Sequence, residues 1–551
     1  MVKKIVVVGG VAGGATAIAR LRRLNEDAEI ILIEKGEYVS FANCGLPYYI
    51  GGVIPYRDNL FVSDIASIIA KYNINIRNFS EVTEVRPKEK KILIKNVKTG
   101  EEYEESYDKL ILSTGSKPFV PEISGVDNEN VFTLWDISDT DKIFNYIKNN
   151  KPSKAVIAGG GFIGLEMAEN IKERGIDVTL VEFADQVMQP LDKDMAKIVE
   201  NHLQEKGIHL LLSTGLTAIE DNGKKLKLSD GSIIDTDMTL LSIGVRPNTG
   251  YLKLSGLDMN NRGGLVTDER LRTSDPDIYA VGDMIEVLHR VSKEKVMIPL
   301  AAPANKQGRA VAANVLGMKE EKYRGSIGTS IAKIFDLSVA VTGENEKTLI
   351  KRGLRLWKDY GISMIHTSSH AGYYAGAMPL SIKLLFDYAA GKVLGAQIVG
   401  YDGVDKRIDT IAASIYFGGT VYDLTGLDFA YAPPYSSAKD PVNMAGYVAT
   451  NILEGLTEPI TFDEWTAIRD DVITIDVREK IEVMSGDIKG SINLPLTYLR
   501  ENLDKLDKDK AYVVSCAIGV RGYIAERIMK QNGFNVRNLI GGYATYSYRM
   551  Q

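Results

Sequence analysis

The sequence predicts an α/β protein of several domains, and three observations lead to that prediction. A chain of 551 residues is long enough for about three to four domains. Two segments repeat the same order of strand, glycine-rich turn, helix, strand and glutamate. Further short apolar runs end in glycine or another small residue. Such alternation of strands and helices is typical of parallel sheets covered by helices.

The composition excludes several classes of protein. The chain is 45% hydrophobic and 25% charged with a formal net charge of -6, which argues against a nucleic-acid partner. Apolar runs fall short of the roughly 20 residues that span a bilayer. The first run, at residues 5–8, ends in glycines and indicates a strand rather than a signal peptide. Two cysteines and no export signal favour the cytoplasm.

The first repeat begins with KIVVVGGVAGG at residues 4–14. A helix is expected from about residue 15 to 24, followed by the strand and acidic residue IILIE at 30–34. Glycines let backbone approach a pyrophosphate, whose charge the N-terminus of the helix stabilises. This is the dinucleotide-binding βαβ unit, in which Glu34 can bind a ribose hydroxyl. Val11 stands where the middle glycine is usual.

The second repeat matches the pattern fully. AVIAGGGFIG at 155–164 supplies Gly159, Gly161 and Gly164, a helix runs to about residue 173, and VTLVE at 178–182 ends in Glu182. Glu182 repels a 2′-phosphate, so NADH is preferred, with NADPH left open. The alternative is that both glycine turns only pack helix against strand. Two complete units in one chain favour nucleotide binding.

The two cysteines each lie in a glycine-flanked loop. Cys44 lies in SFANCGLPYY at 40–49, and Cys516 opens CAIGVR at 516–521. A disulfide framework is excluded by the count, so reactive thiols are expected. The alternative is that each is a small buried apolar residue. The five histidines show no metal-ligand spacing with the cysteines, and no metal site is predicted.

Later segments fit the same architecture. LILSTGS at 110–116, LLSIG at 240–244 and DIYAVGD at 277–283 are expected buried strands that end in small residues. From about residue 327 to 448 strands and helices are expected to alternate without a glycine fingerprint. A separate unit is expected to begin at about residue 460.

With these motifs in place, residues 1 to about 450 resemble the flavin-dependent pyridine nucleotide–disulfide oxidoreductases. The resemblance is to their single-cysteine branch, which includes coenzyme A-disulfide reductases, NADH oxidases and NADH peroxidases. Two-cysteine members carry a second cysteine five residues on, where this chain has Tyr49. Segments 40–47 and 431–436 are similar to coenzyme A-disulfide reductases.

The remaining residues, from about 460 to 551, resemble a rhodanese domain. The matching pieces are DVRE at 476–479, GDIKGSINLP at 486–495, the cysteine loop and LIGG at 539–542. The whole chain therefore resembles the fused coenzyme A-disulfide reductase–rhodanese type, also described as NAD(P)H-dependent persulfide or polysulfide reductases.

The resemblance implies two nested Rossmann-like FAD and NAD(P) domains, an α+β dimerisation domain and a C-terminal rhodanese α/β domain. The expected limits are 1–112 with 247–325 for FAD, 113–246 for NAD(P)H, 326–450 for dimerisation, 451–460 for a linker and 461–551 for the rhodanese-like domain. It also implies a homodimer with shared active sites.

The resemblance implies FAD, NADH or NADPH, and coenzyme A as the cofactors and substrate carrier. The implied catalytic residues are Cys44, Cys516, Tyr431, Tyr373 and Arg521. The implied cofactor-binding residues are Gly9, Gly10, Ala12, Gly13, Gly14, Glu34, Lys35, Val82, Thr114, Gly115, Asp283, Gly159, Gly161, Phe162, Ile163, Gly164, Glu182 and Gly244. The implied substrate-binding residues are Thr16, Arg20, Arg23, Ser40, Phe41, Asn43, Lys71, Asn305 and Lys439.

Several of these assignments have a plain structural alternative. Coenzyme A carries three phosphate groups, and Arg20 and Arg23 share one helix face, yet each cation can equally be an ordinary surface charge. Asn43 and Ser40 either stabilise the Cys44 thiolate or cap turns. Tyr431 and Tyr373 match positions that approach the site from the partner subunit. For Tyr373, the neighbouring Tyr374 and simple core packing remain alternatives.

The loop at 516–521 has a length that lets backbone N–H groups surround one sulfur and stabilise a persulfide. A helix is expected from Arg521 through 522–527, and its N-terminus lowers the pKa of the thiol. Ala517 and Ile518 make the loop apolar, which weakens the case for thiosulfate as donor. The alternative is an inactive regulatory rhodanese fold.

The expected function is NAD(P)H-dependent reduction of coenzyme A disulfide, coenzyme A persulfide or polysulfide. Cys44 attacks the substrate sulfur, one half leaves as thiol or hydrosulfide, and electrons from NAD(P)H restore the thiolate. Cys516 carries sulfane sulfur. The alternatives are an NADH oxidase or peroxidase that cycles Cys44 through sulfenic acid, and a flavoprotein redox sensor. The preferred sulfur substrate and any hand-off between Cys516 and Cys44 stay open.

Overall fold

The computed structural model describes residues 4–318 and 320–550, so the expected domain ends at residues 1 and 551 lie outside the described residues. These residues form two compact units. Unit 1 runs to Asp185 and includes Ile208–Gly328, and unit 2 consists of Gln186–Gly207 and the chain from Thr329 onwards. The finer domain limits stay a prediction.

The helices of the described residues include both long covering helices and single turns. They are α1 Ala12–Leu24, α2 Leu46–Gly51, α3 Ile65–Tyr72, α4 Ile137–Asn150, α5 Phe162–Lys172, α6 Lys193–Glu205, α7 Ala301–Val315, α8 Glu346–Lys351, α9 Val404–Phe417, α10 Val421–Gly426, α11 Pro441–Leu453, α12 Phe462–Ile468, α13 Lys480–Val483, α14 Leu496–Leu499, α15 Val520–Gln531 and α16 Gly542–Met550.

The strands of unit 1 are β1 Lys4–Val8, β2 Glu29–Ile33, β3 Asn75–Arg77, β4 Ser80–Arg86, β5 Lys91–Asn96, β6 Glu102–Ser106, β7 Lys109–Leu112, β8 Ser116–Pro118, β9 Val131–Phe132, β10 Lys154–Ala158, β11 Asp177–Val181, β12 His209–Leu211, β13 Leu216–Glu220, β14 Lys225–Leu228, β15 Ile233–Asp235, β16 Met238–Leu241, β17 Val245–Pro247, β18 Ile278–Ala280, β19 Val287–Leu288 and β20 Lys295–Val296. Those of unit 2 are β21 Ser330–Ile334, β22 Leu337–Gly343, β23 Tyr360–Ser368, β24 Pro379–Asp387, β25 Val393–Gly400, β26 Pro459–Ile460, β27 Ile473–Asp476, β28 Ile492–Asn493, β29 Ala511–Ser515 and β30 Asn535–Leu539.

Unit 1 contains two parallel five-stranded sheets, in the orders β18-β7-β1-β2-β3 and β12-β11-β10-β16-β9. Strand β1 is central in the first sheet, and Ile5 to Val8 are almost fully buried. A strand covered on both faces is a continuous apolar run rather than an alternating one. The predicted α/β fold with two nucleotide-type units is confirmed.

Helix α1 begins earlier than the sequence indicated. It starts at Ala12, whereas a start at about residue 15 was expected. Gly13 and Gly14 are unfavourable inside helices, which is why they were assigned to the turn. A Cβ on Gly14 would collide with the Gly9 carbonyl oxygen, so glycine lets the first helical turn pack directly on the end of β1.

Unit 2 contains an antiparallel sheet in the order β21-β22-β25-β24-β23. The expected alternation of strands and helices between 327 and 448 is wrong, because β23, β24 and β25 follow one another directly. Lys383 interrupts the apolar pattern of β24. It is buried and paired with Asp194 at 2.8 Å, so its charge does not mark a surface loop.

A second sheet of unit 2 is parallel, in the order β26-β30-β29-β27-β28. It begins at Pro459, close to the predicted start of the C-terminal unit. Helices α15 and α16 carry the residues that follow β29 and β30. Across residues 4–318 and 320–550, no helix is both long and apolar enough to cross a membrane.

Candidate active sites

The first predicted nucleotide site lies where three parallel strands of unit 1 end together. Val8 of β1 pairs with Leu112 of β7, which in turn pairs with Ala280 of β18. The segments that follow these strands therefore leave the same edge of the sheet. Ligands of open α/β sheets bind outside this carboxyl edge. It is where the predicted residues Gly9, Thr114 and Asp283 lie.

The turn after β1 fits a dinucleotide. Gly9 has a φ of 96° and packs so closely on the Ser113 carbonyl that a side chain would collide with it. The Glu34 carboxylate accepts hydrogen bonds from the N–H groups of Gly10 at 2.7 Å and Gly36 at 2.8 Å. Burial raises its pKa, and these N–H groups oppose that shift. Glu34 thus closes the turn.

The turn after β10 repeats this geometry. Gly159 has a φ of 109° and packs on Ser242 in the same way. Glu182 accepts from Gly160 N–H at 2.6 Å and Ala184 N–H at 2.8 Å. In the described residues α1 and α5 both begin without a side-chain cap. Their first N–H groups are therefore available to a phosphate, next to open space at Gly161.

The other predicted cofactor residues fall into three groups. Thr114 and Asp283 are anchored, the first to the Asn248 carbonyl at 2.9 Å and the second to the Ser116 hydroxyl at 3.0 Å. Lys35 is exposed and pairs with Glu81 at 2.8 Å. The remaining members occupy helix starts, a strand interior or turns with positive φ: Ala12, Gly13 and Gly14 in α1, Phe162, Ile163 and Gly164 in α5, Val82 in β4, and Gly115 and Gly244.

Cys44 lies in a short loop tied to the first turn. Ser40 has a φ of 54°, and its N–H donates to the Gly10 carbonyl at 2.9 Å. The thiol is free and accessible. Partial burial raises the pKa of Cys44, and the carboxylates of Glu166 and Asp283 raise it further. The roles of Ser40 and Asn43, as neighbours of the thiolate or as turn caps, stay predictions.

Sequence reasoning missed Glu166 and Tyr48. The Tyr48 hydroxyl donates to Glu166 Oε1 at 3.4 Å, and burial raises the pKa of Glu166 to about 7. Helix α2 packs on α5, where Gly51 leaves room for Asn170, and this brings the Cys44 loop to Glu166. The signal was present, because Glu166 follows Gly164 of the fingerprint by two residues.

We expect Glu166→Gln to lower the pKa of the Cys44 thiol. Above about pH 7 the Glu166 carboxylate is ionised and disfavours a nearby thiolate. Removing it lets the thiolate form at lower pH, by about half to one pH unit. The measurement is the pH profile of Cys44 alkylation by iodoacetamide, followed on the Cys44 peptide.

The matched control is Glu173→Gln, which removes the same charge at the C-terminal end of α5. We expect this control to leave the alkylation profile unchanged. An unchanged midpoint in Glu166→Gln, or an equal shift in both variants, would show that Glu166 does not act on the thiol.

Of the predicted substrate residues, the structure brings Thr16 and Asn305 together. The Thr16 hydroxyl donates to Asn305 Oδ1 at 2.5 Å. Arg20 is half-buried and lies 4.0 Å from Glu321. Arg23, Lys71 and Lys439 are exposed to solvent, and the backbone of Phe41 pairs with that of Phe61.

In unit 2 the two predicted tyrosines form a hydrogen-bonded pair. The hydroxyls of Tyr373 and Tyr431 are 2.8 Å apart, and Tyr373 is 77% exposed. Tyr374 instead packs edge-on against His370, which favours Tyr373 as the functional residue. The segment after Tyr431 is anchored because the buried Asp440 accepts from Ser436 at 2.6 Å and pairs with Arg407 at 3.1 Å.

The second cysteine site lies at the end of β29. Cys516 is buried, and the Gly519 N–H donates to its sulfur at 3.1 Å. The carbonyl of Cys516 accepts from Tyr543 N–H at 2.7 Å, at the start of α16. Helix α15 starts at Val520, so the helix predicted after the loop is confirmed. The sulfur therefore lies at the start of α15.

Arg521 links this loop to a carboxylate that sequence reasoning missed. Its guanidinium donates to both oxygens of Glu482, at 2.7 and 2.6 Å. This pairing raises the pKa of Arg521, to which Cys516 also contributes by a hydrogen bond. Among the described residues no group of three or more His, Cys, Asp or Glu side chains is arranged to hold a metal ion.

Comparison with protein families matches three segments. Residues 3–308 match the pyridine nucleotide-disulphide oxidoreductase family, residues 329–441 match its dimerisation domain and residues 463–548 match the rhodanese-like domain. A coenzyme A disulfide reductase of Staphylococcus haemolyticus is 34% identical over 450 residues, which is 82% of this chain and 100% of that protein.

Solved structures agree with these matches. Reduced Bacillus anthracis CoADR-RHD superposes with a TM-score of 0.97 at 49% identity, covering 100% of this chain and 98% of that chain. An NAD-dependent persulfide reductase from A. fulgidus gives 0.92 at 38% identity, covering 98% and 100%. A water-forming NADH oxidase from Lactobacillus brevis gives 0.78 at 27% identity, covering 82% and 99%. The chain therefore belongs to the pyridine nucleotide-disulphide oxidoreductase family and carries a C-terminal rhodanese-like domain.

Proposed function

We propose that the protein is a NAD(P)H-dependent reductase of coenzyme A disulfide, coenzyme A persulfide or polysulfide, with Cys44 as its redox thiol. The observation that carries this proposal is the accessible Cys44 thiol in a loop hydrogen-bonded to the first nucleotide turn. Tyr49 stands where a second cysteine would be needed for an internal redox disulfide. A lone thiol takes part in two-electron chemistry by forming a mixed disulfide, persulfide or sulfenic acid.

The residues of unit 1 would hold two nucleotide cofactors. The turn of Gly9 and Glu34 suits FAD, and that of Gly159 and Glu182 suits NADH or NADPH, because each offers free helix N–H groups to a pyrophosphate. When bound, FAD supplies the transfer of an electron pair from NAD(P)H to sulfur. Glu182 is already bonded to two N–H groups and would repel a 2′-phosphate, which favours NADH.

Cys44 would act as the nucleophile. Its thiolate attacks one sulfur of the substrate disulfide or persulfide, a new S–S bond forms, and the other half leaves as a thiolate or hydrosulfide. Glu166, with a pKa raised to about 7, can hold a proton near the sulfur at neutral pH. Its protonation removes a negative charge that opposes the attacking thiolate.

Coenzyme A would be recognised by polar and basic residues. Thr16 and Asn305 form a linked polar pair, and Arg20 shares the same helix as Thr16. The exposed Arg23, Lys71 and Lys439 are suited to phosphate groups in water. Support comes from the curated relative, whose name is coenzyme A disulfide reductase and whose whole length this chain covers.

The test of this function is anaerobic NADH turnover with coenzyme A disulfide, coenzyme A persulfide and inorganic polysulfide, compared side by side. We expect at least one of the three to be reduced faster than dioxygen in a parallel aerobic assay. Faster turnover with dioxygen would instead support an NADH oxidase, the activity in the name of the Lactobacillus brevis structure. If the protein turned over none of these acceptors, the remaining candidate function would be a flavoprotein redox sensor.

We further propose that the protein is a homodimer whose active sites are shared, with Tyr431 and Tyr373 supplied by the partner subunit. The matched dimerisation domain supports the homodimer. The tyrosine pair supports the shared site, since both side chains are exposed and their hydroxyls are linked at 2.8 Å.

Heterodimers test the sharing directly. A dimer of one Cys44→Ser chain and one Tyr431→Phe chain keeps one intact shared site, so we expect about half of wild-type activity from the symmetry of the dimer. The matched control pairs a wild-type chain with a chain that carries both changes. If each site takes Cys44 from one chain and Tyr431 from the other, both sites of this control contain one changed residue, and we expect it to be almost inactive. The reverse result, an active control and an inactive test dimer, would place each site within one chain.

A further inference from the structure

The charges around Cys516 are already matched within the fold. Arg521 donates two hydrogen bonds to Glu482 at 2.7 and 2.6 Å. Arg521 in turn lowers the pKa of Glu482 to about 2, chiefly through these hydrogen bonds, so Glu482 is ionised at any working pH. Such a two-point pair fixes the guanidinium in one orientation. Arg521 is therefore a neutralised cation rather than a free one.

A second arginine in the same region is also neutralised. Arg478 pairs with the buried Asp476 at 2.7 Å and lies 3.9 Å from the centre of the Tyr543 ring. When Cys516 attacks as a thiolate, the group of Cys516, Arg521 and Glu482 carries one net negative charge. An incoming dianion would be repelled by this net charge, and no unpaired cation of this group offsets the repulsion.

The surface near this group is apolar. Ile518 and Val520 of the cysteine loop are exposed, and so are Ile481 on α13 and Met484 just after it, at 76% and 86%. Exposed large apolar side chains concentrated around a reactive loop indicate a ligand with apolar parts. Charge and surface thus agree on the chemistry of the donor.

We propose that Cys516 receives sulfur from an alkyl persulfide, which carries at most one charge on its sulfur atoms, and that Glu482 determines this specificity by neutralising Arg521 and so excluding dianions such as thiosulfate. This inference rests on the proposed role of Cys516 as a carrier of sulfane sulfur. The alkyl arm of the donor lies on the surface formed by Ile481, Met484, Ile518 and Val520.

The sulfur transfer needs no external oxidant or reductant. The Cys516 thiolate attacks the terminal sulfur of R–S–SH, and a bond forms between Cys516 Sγ and that sulfur. The bond between the two donor sulfurs breaks, and its electron pair leaves with R–S⁻. The proton stays on the transferred sulfur, so Cys516 becomes a persulfide. The Gly519 N–H, 3.1 Å from Sγ, donates to the sulfur during attack.

The test uses the full chain with Cys44→Ser, so that only Cys516 reports. Thiosulfate and pantetheine persulfide are the two donors, and the measurement is the rate at which the Cys516 peptide gains one sulfur atom by mass spectrometry. We expect pantetheine persulfide to label the protein much faster than thiosulfate. Adding Glu482→Gln should raise the thiosulfate rate by about tenfold, because a unit charge near the dianion is removed. The pantetheine persulfide rate should change by less than about threefold, because that donor carries at most one charge and the protonated form that the thiolate attacks carries none.

Salt gives a readout that a purely structural role would not change. With Glu482 present, added sodium chloride should accelerate labelling by thiosulfate, because salt screens the repulsion. That acceleration should weaken in Glu482→Gln.

Three outcomes would overturn the inference. One is that both donors label Cys516 at equal rates in the Cys44→Ser protein. Another is that adding Glu482→Gln leaves the preference between the two donors unchanged. The third is a Cys516 that neither donor labels. That third result would also remove Cys516 as a sulfur carrier, but it would leave untouched the reduction of coenzyme A disulfide by Cys44, which is assayed separately in wild-type protein.

Discussion

Cys44→Ser protein is expected to lose reduction of coenzyme A disulfide and persulfide by at least about three orders of magnitude, because a serine hydroxyl cannot replace a thiolate as the sulfur nucleophile. It should still bind its flavin and accept electrons from NADH, since the turns of Gly9 and Gly159 are formed without the thiol.

The measurement has two parts. Anaerobic stopped-flow absorbance follows reduction of the flavin by NADH, and steady-state assays follow thiol release from coenzyme A disulfide. The matched control is Cys516→Ser, which removes the other cysteine and should leave both rates close to wild type. Substantial disulfide reduction by Cys44→Ser protein would contradict the proposed role of Cys44, whatever the flavin result.

The nucleotide sites were predictable because their determinants are local. Gly9 and Gly159 adopt positive φ and pack on backbone carbonyls. Only glycine meets both requirements, so the glycine pattern in a short stretch of sequence is enough to predict these turns. Each glutamate comes after the helix and the strand that follow its turn, and it closes the turn by accepting from backbone N–H groups. The loop of Cys516 was predictable for the same reason, since its length and the following helix are contiguous.

The parts that could not be predicted depend on contacts between distant segments. Glu166 reaches the Cys44 loop because α2 packs on α5, and Glu482 reaches Arg521 across 39 positions. The antiparallel sheet of unit 2 was not predicted, since β22 pairs with β25 rather than with the next strand β23. Its buried Lys383, paired with Asp194, is a residue whose burial the sequence did not indicate. Single-sequence patterns report burial poorly where a charge is paired inside the protein.

Cys516→Ser protein is expected to reduce coenzyme A disulfide at close to the wild-type rate. Its release of sulfide should fall at least about tenfold when the sulfur arrives on a bulky donor such as persulfidated serum albumin, because the persulfide-accepting nucleophile is gone. Cys516 is buried just before the start of α15, and both cysteines are free thiols. Sulfide release by Cys516→Ser at the wild-type rate from both donors would show that Cys516 passes no sulfur onward.

The route from Cys516 to Cys44 can be tested by mixing two full-length variants. Cys44→Ser dimers keep only the sulfur carrier, and Cys516→Ser dimers keep only the reductase. If coenzyme A carries sulfur between the thiols, the mixture should release sulfide from persulfidated albumin, at a rate that rises with added coenzyme A. Wild-type protein should need far less coenzyme A, because fusion gives a local concentration on the order of millimolar. The apolar surface around Cys516 suits the pantetheine arm of such a carrier. Equal rates for wild type and mixture at every coenzyme A concentration would exclude channelling, while a mixture that stays inactive would exclude coenzyme A as the diffusing carrier.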